Sequence, residues 1–199
     1  MDKIEVSAKL SKLKPIRRLS LRMEQYATDT NTAVNFIFYA DEIIRFEGKK
    51  TADFGCGNGI LGIAAGLMGA ERVDFYDIDE TALETCRKNC SAIGLRNCQF
   101  INEDFFDVKE RYDVVISNPP FGIQTNFSVS AFIKKLEEVS RDFVFIYKDN
   151  TAVRQTAERE GLSVISAGGI SIKRTQKFHK KDVVKIPIVV ISSKPHENS

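Results

Sequence analysis

The segment Asn118-Pro119-Pro120-Phe121 carries side chains suited to a reaction at nitrogen. An exocyclic adenine amine is a weak nucleophile because its lone pair is delocalised into the ring, so acceptors for its protons return electron density to nitrogen. The Asn118 amide oxygen and the Pro119 carbonyl are two such acceptors, held in place by the proline rings. Phe121 could stack on the base and fix its plane. We therefore predict that this segment holds a nitrogen for methylation.

A second segment, Asp53-Phe54-Gly55-Cys56-Gly57-Asn58-Gly59, follows an apolar strand pattern. Its alternating glycines let backbone amides approach a ligand closely where the strand turns into a helix. The spacing GxGxG differs from the GxGxxG of dinucleotide sites and indicates a methionine nucleoside lying across the loop. Asp53 would add negative charge to a crevice for the positive sulfonium of S-adenosylmethionine.

Further carboxylates stand at the ends of later strand patterns. Asp77 ends the second pattern, where an acid can accept both ribose hydroxyls of a nucleoside. Asp79 competes for that role, but we expect it to cap the following helix. Asp104 with Phe105 follows the third pattern and could bind the adenine amino group and ring. The neighbouring acids that compete with Asp104 are Glu103 and Asp107.

Strand and helix patterns alternate after residue 49, which predicts an α/β fold of the class I S-adenosylmethionine-dependent methyltransferase type. We expect a seven-stranded, mostly parallel sheet with an antiparallel last strand at or near an edge. The predicted strands are 50–54, 72–77, 98–101, 113–117, 143–147, 162–167 and 183–192. The predicted helices are 32–44, 60–67, 80–93, 130–139 and 151–160.

The length of 199 residues and the apolar content of 43% suit one hydrophobic core. We therefore expect a single domain, residues 1–199, with an N-terminal cap (1–46) over the crevice, a Rossmann-like core (47–193) and a tail (194–199). The sequence contains no apolar run long enough for a membrane span and no signal-peptide pattern, so we expect a cytoplasmic protein without membrane contact. The four cysteines include no CxxC pair, and no metal site is expected.

The net charge of +2 is small, but basic residues cluster near both ends. Clustered cations favour phosphate binding, because they release counterions from a nucleic acid, although a solvated surface explains either cluster alone. The late cluster adds an aromatic ring and an imidazole that could stack on bases. The nucleic-acid-binding residues predicted from it are Lys177, Phe178, His179, Lys180 and Lys181.

Together these motifs resemble the methyltransferase-like protein 5 family of ribosomal RNA adenine N6-methyltransferases over nearly the whole chain. The segments that carry the resemblance are Glu24-Gln25-Tyr26, the glycine loop, Asp77-Ile78-Asp79-Glu80, Asn118-Pro119-Pro120-Phe121-Gly122 and Lys177-Phe178-His179-Lys180-Lys181. The resemblance implies that the cofactor is S-adenosylmethionine. The cofactor contacts it implies are Gln25, Thr28, Gly55, Asn58, Ile60, Asp77, Asp104 and Phe105.

The same resemblance implies that the target is an adenine in small-subunit ribosomal RNA, free or within a ribosomal particle. It also implies a small zinc-containing activator of the Trm112 type, which pairs with an exposed edge strand. Residues 98–101 could offer such an edge.

Two other functions stay open at this stage. A protein glutamine N5-methyltransferase would use the same kind of reacting segment, although its last residue is commonly Tyr where this chain has Phe121. The other is a non-catalytic RNA-binding assembly factor on the same fold. The intact Asp77, Asn118 and Phe121 favour an enzyme, and the two basic clusters favour a nucleic-acid substrate.

Overall fold

The computed structural model of the protein describes residues 1–16, 28–122, 127–175 and 181–193, with backbone only at 171–175 and 181–184. Several residues singled out in the sequence lie outside this part of the chain, namely Gln25, Lys177, Phe178, His179 and Lys180. Lys181 is described by its backbone alone.

The described residues form six helices and seven strands. The helices are α1 (Lys3–Leu10), α2 (Thr30–Ile44), α3 (Ile60–Leu67), α4 (Glu80–Ile93), α5 (Val129–Val139) and α6 (Thr151–Arg159). The strands are β1 (Lys50–Phe54), β2 (Arg72–Tyr76), β3 (Cys98–Ile101), β4 (Tyr112–Ser117), β5 (Ser140–Lys148), β6 (Ser163–Thr175) and β7 (Lys181–Ser192). Each element predicted from the sequence is present, with changes at some of its ends. Among the described residues, no helix is long and apolar enough to cross a membrane.

The strands form one sheet in the order β3-β2-β1-β4-β5-β7-β6. The first five strands in this order are parallel to one another, whereas β7 is antiparallel to both β5 and β6. The expected fold class is therefore confirmed, and β3 and β6 are the two edges of the described sheet. Because parallel strands share their carboxyl edge, the loops after β1, β2, β3 and β4 meet on one side of the molecule.

The outer hairpin is longer than the sequence pattern predicted. Strand β6 was expected to end at residue 167, before two glycines, but a register shift between Ser166 and Gly169 accommodates them and the pairing with β7 continues to Thr175. The last pair between β5 and β7 is Lys148 with Ile188. Beyond that pair, β6 and β7 continue as a two-stranded ribbon at the carboxyl edge of β5.

Helix α1 was not expected from the lysine-rich start of the chain. It begins with a capping box, in which the Asp2 carboxylate accepts from the Glu5 backbone N–H and the Glu5 carboxylate accepts from the Asp2 N–H. Val6 and Leu10, four residues apart, bury one face of the helix against α2 and α3. Packing of this short apolar stripe explains why the charged segment is helical.

Candidate active site

The glycine loop turns β1 into α3 at the carboxyl edge of the sheet. Gly59 is the N-cap of α3, with a left-handed backbone (φ +85°) and no side chain to cap the helix. The buried Asp53 carboxylate replaces the missing cap, because its Oδ2 accepts from the Gly62 N–H at 2.8 Å. Asp53 thus holds the first turn of α3 beneath the loop, and its predicted contribution to the charge of the crevice stays a prediction.

Replacement of Gly59 by alanine should destabilise the protein strongly. A Cβ at this position would lie 2.4 Å from the Cys86 Sγ, and the backbone is also in the left-handed region. We expect a loss of about 2 to 5 kcal/mol in the free energy of unfolding, measured by chemical denaturation. Gly48→Ala is the matched control, because its φ is +70° but a Cβ there meets nothing within 4 Å. The control should cost about 1 to 2 kcal/mol, and equal losses would contradict the contact with Cys86.

The buried Asp53 should make stability depend on pH. Burial raises its pKa from 3.8 to about 7, although the Gly62 N–H acts in the opposite direction. The folded protein therefore keeps a proton that the unfolded chain releases, and this contribution to stability falls as pH rises from about 4 to about 7. Between pH 5 and pH 8, the free energy of unfolding should fall by about 2 to 4 kcal/mol less in Asp53→Asn than in the wild-type protein, as measured by chemical denaturation.

The control for this measurement is Asp107→Asn, which changes an exposed carboxylate near the same edge of the sheet. It should leave the pH profile of the wild-type protein unchanged. A profile for Asp53→Asn that runs parallel to that of the wild-type protein would contradict the assignment.

Asp77 lies directly beside the glycine loop. Its Oδ2 accepts from the Gly57 N–H at 2.9 Å and its Oδ1 accepts from the Asp79 N–H at 2.9 Å. Each carboxylate oxygen keeps a further lone pair, so the group can still accept from two ribose hydroxyls. Asp79 instead caps α4, since its carboxylate accepts from the Thr81 N–H at 2.9 Å. The structure thus confirms that Asp79 caps α4, whereas ribose binding by Asp77 stays a prediction.

An N-terminal segment reaches the glycine loop through a side chain that the sequence analysis missed. Asn89 on α4 is buried, and its Nδ2 donates to the carbonyls of Lys14 (3.0 Å) and Asn58 (2.9 Å), while its Oδ1 accepts from the Lys14 N–H. The Asn58 Nδ2 also donates to the Lys14 carbonyl at 3.2 Å, and the Asn58 Oδ1 accepts from the Ile60 N–H. The sequence signal that could have identified Asn89 is an Asn at a buried position of an amphipathic helix.

Asp104 and Phe105 lie after β3, at the same edge of the sheet. Asp104 is exposed, and its Oδ1 accepts from the Phe106 N–H at 2.9 Å, while its Oδ2 accepts from no group among the described residues. The half-buried ring of Phe105 stacks on Phe54 with ring centroids 5.8 Å apart, and its edge meets Phe132. Phe105 therefore forms an apolar wall next to β1, and contact of both residues with adenine stays a prediction.

Asn118 follows the last residue of β4, at the edge that carries the glycine loop. The Ser117 hydroxyl donates to the Phe54 carbonyl at 2.7 Å and so ties the end of β4 to the end of β1. The Asn118 Nδ2 donates to the Thr28 Oγ1 at 2.9 Å, which directs the amide oxygen away from Thr28. That oxygen is buried and accepts from no group in the described part of the chain. A buried acceptor without a donor is costly and indicates a ligand that supplies one.

Phe121 is placed differently from its sequence-based expectation. Its ring is fully buried and meets the Tyr147 ring at 5.5 Å, while the Tyr147 hydroxyl donates to the Phe121 carbonyl. This packing fixes the backbone after Pro119 and Pro120, of which Pro119 is also buried. Stacking of Phe121 on a base stays a prediction, and it would require the ring to be uncovered.

The site fits a methionine nucleoside. A Cβ built on Gly55 meets nothing within 4 Å, so the loop is open where a ligand would lie. Asp77 offers acceptors for the ribose beside that opening. The strand order, the glycine loop after β1 and the acid after β2 define a class I S-adenosylmethionine-dependent methyltransferase.

Comparison with known proteins agrees with this class. The family described as "Methyltransferase small domain" matches residues 29–142. The rRNA N(6)-adenosine-methyltransferase metl-5 of Caenorhabditis elegans is 29% identical over 93% of this chain and 94% of its own. An uncharacterized protein of Methanocaldococcus jannaschii is 30% identical over 84% of this chain and 83% of its own. A solved structure from Pyrococcus horikoshii, described as a candidate RNA methyltransferase, has a TM-score of 0.85 at 29% identity and covers 98% of each chain.

The chain belongs to the methyltransferase small domain family, and within it to the methyltransferase-like protein 5 group. Its cofactor is S-adenosylmethionine.

Proposed function

We propose that the protein methylates the N6 atom of an adenine in RNA, and that this RNA is small-subunit ribosomal RNA. The observation that carries the proposal is the buried Asn118 Oδ1, which lacks a donor among the described residues. An adenine amine has two protons and needs acceptors for them, so it would satisfy this oxygen. The Caenorhabditis elegans relative, an rRNA N(6)-adenosine-methyltransferase, supports the same substrate atom.

Some residues of the site would bind the cofactor, and others would activate the substrate amine. S-adenosylmethionine supplies the electrophilic methyl group. Asp77 would hold its ribose, and the glycine loop would approach it with backbone amides. The Asn118 Oδ1 and the Pro119 carbonyl would each accept a hydrogen bond from the amine, which localises the lone pair on nitrogen and orients it towards the methyl group. Thr28 keeps the Asn118 amide in the required orientation.

The outer hairpin supports a nucleic-acid substrate. The ribbon formed by β6 and β7 beyond the end of β5 leads to residues 176–180, which the structure does not describe. The sequence between the two strands is Gln176-Lys177-Phe178-His179-Lys180, and Lys181 begins β7. Basic residues between the strands of a ribbon at the reacting edge would contact phosphates close to the target nucleotide. The ribosomal RNA named for the Caenorhabditis elegans relative supports this choice of RNA.

The proposal includes a Trm112-type activator bound to β3. This strand of four residues is an edge of the described sheet, so one row of its backbone groups is open to another strand. Pairing there would leave the reacting edge free, because the activator would add to the sheet beside β3. An enzyme acting on ribosomal RNA in this way would work in the cytoplasm.

A comparison of RNA substrates tests the finer part of the proposal. Labelled S-adenosylmethionine is incubated with the protein and either small-subunit or large-subunit ribosomal RNA, each with and without a Trm112-type protein. We expect label in the small-subunit RNA and a higher yield with the added protein. Equal label in both RNAs would contradict the choice of subunit, and a yield unaffected by the added protein would contradict the activator.

A further inference from the structure

A separate cavity of about 470 Å³ lies beside the reacting edge, between α2 and the outer strands of the sheet. It falls within the range of about 300 to 1,000 Å³ typical of small-ligand pockets. The residues that determine its character are Asn31, Asn35 and Tyr39 from α2, and Ile165, Ile188 and Val190 from the strands. None of them belongs to the site described above.

The cavity exists because the sheet extends beyond the helix that covers it. Helix α2 buries Val34, Phe36 and Ile37 in the core and packs on β5. The two outermost strands, β7 and β6, continue past this helix. As a result Ile165 on β6 keeps 38% of its surface exposed at the edge of the cavity. Of the apolar sheet residues that line the cavity, Ile165 is exposed whereas Ile188 and Val190 are nearly fully buried beneath it, and one wall is the side of a helix.

The helix wall is polar. Asn31 and Asn35 are one turn apart and both are exposed, and Tyr39 follows one turn later. Side-chain amides offer donors as well as acceptors, which matches the edge of a nucleobase, while the aromatic ring and the apolar floor match its faces.

Charge argues against a phosphate in this cavity. No Lys or Arg is among the described residues that line it. Its one charged lining residue in the described chain, Asp29, uses its carboxylate to accept from the Thr32 N–H (3.0 Å) and the Thr32 hydroxyl (2.7 Å). A neutral flat ring with polar edges suits such a surface better than an anion does.

Two neighbouring residues of the chain connect the cavity with the reacting segment. Asp29 lines it, and the preceding residue, Thr28, accepts from the Asn118 amide. The cavity thus begins one residue from the group that orients the reacting side chain. A base that lies in it would belong to a nucleotide close to the target nucleotide.

We propose that this cavity, the nucleobase groove, binds a base of the substrate RNA that flanks the methylated adenosine. The proposal rests on the proposed function, since it needs an RNA substrate. The groove would then contribute to the preference of the enzyme for the RNA sequence around the methylated adenosine.

The test combines changes in the protein with changes in the RNA. The protein variant is Asn31→Ala with Asn35→Ala, two exposed positions on α2 where alanine favours the helix. The RNA is an oligonucleotide around the adenosine that the wild-type protein methylates, with single abasic nucleotides placed on either side of it. For the intact RNA, we expect the variant to raise KM about 5- to 50-fold, with cofactor affinity unchanged.

The decisive result is the coupling between the two changes. One flanking abasic nucleotide should raise KM for the wild-type protein by a similar factor, and the variant should lose that sensitivity. Ser91→Ala, an exposed change on α4, should respond to the abasic nucleotides as the wild-type protein does. If the wild-type protein methylates adenosine but the abasic nucleotides change KM equally for both proteins, the groove proposal would be overturned and the proposed function would stand. Absence of adenosine methylation by the wild-type protein would overturn the proposed function and the groove with it.

Discussion

Asn118→Ala should lower turnover by about 10² to 10⁴, while the affinity for S-adenosylmethionine stays unchanged. The variant lacks the buried oxygen that would accept from the substrate amine. Its free energy of unfolding should fall by no more than about 1 kcal/mol. The lost bond to Thr28 is offset, because the substitution also removes a buried oxygen that has no donor in the described part of the chain. Methyl-transfer kinetics, cofactor titration and denaturation give the three readouts.

Thr28→Val tests how much the orientation of the Asn118 side chain matters when its amide oxygen is still present. It keeps the shape of the side chain but removes the acceptor for the Asn118 Nδ2. Turnover should fall by about tenfold, less than for Asn118→Ala, because the reacting oxygen is still present but its orientation is less restricted. A large loss of stability in Asn118→Ala, with turnover preserved, would show that Asn118 is only structural.

Asp77→Asn should weaken S-adenosylmethionine binding by about 100-fold. The carboxylate would accept from the ribose while it also accepts from the Gly57 and Asp79 N–H groups. Hydrogen bonds to a charged group are worth about 1.5 to 3 kcal/mol each, and an amide nitrogen facing either N–H group would set donor against donor. Calorimetric titration of the purified variant with the cofactor measures the change.

The matched control makes the same substitution two residues later. Asp79 is the N-cap of α4, and Asn caps helices as well as Asp does, so Asp79→Asn should keep both cofactor affinity and stability. Loss of cofactor binding in Asp79→Asn, with binding retained in Asp77→Asn, would reverse the roles of the two acids.

Much of the fold was predictable because the central strands are apolar and the helices between them are amphipathic or rich in small residues. Elements β1, α3, α4 and β3 have the predicted ends. The prediction was wrong where tertiary contacts override local signals. Two glycines suggested the end of β6, but pairing with β7 carries the strand across them. Helix α1 depends on the packing of two apolar side chains within a charged segment.

The places of some candidate site residues were predictable from the sequence, whereas their roles stay predictions. Asp77 beside the glycine loop and Asn118 after β4 follow from the positions of strand ends in a parallel sheet. Asn89 was missed because its bonds to Lys14 and Asn58 join distant parts of the chain. The burial of Phe121 against Tyr147 likewise depends on a contact that no local pattern contains. The single-domain organisation stays a prediction.

Nucleoside analysis of the reaction products decides whether the protein methylates adenine N6 in RNA. The purified protein, with a Trm112-type protein present, is incubated with labelled S-adenosylmethionine, small-subunit ribosomal RNA and ribosomal protein, with Asn118→Ala as the inactive control. We expect label in N6-methyladenosine and almost none with the control. Label confined to glutamine in protein, or no label in RNA at all, would contradict it.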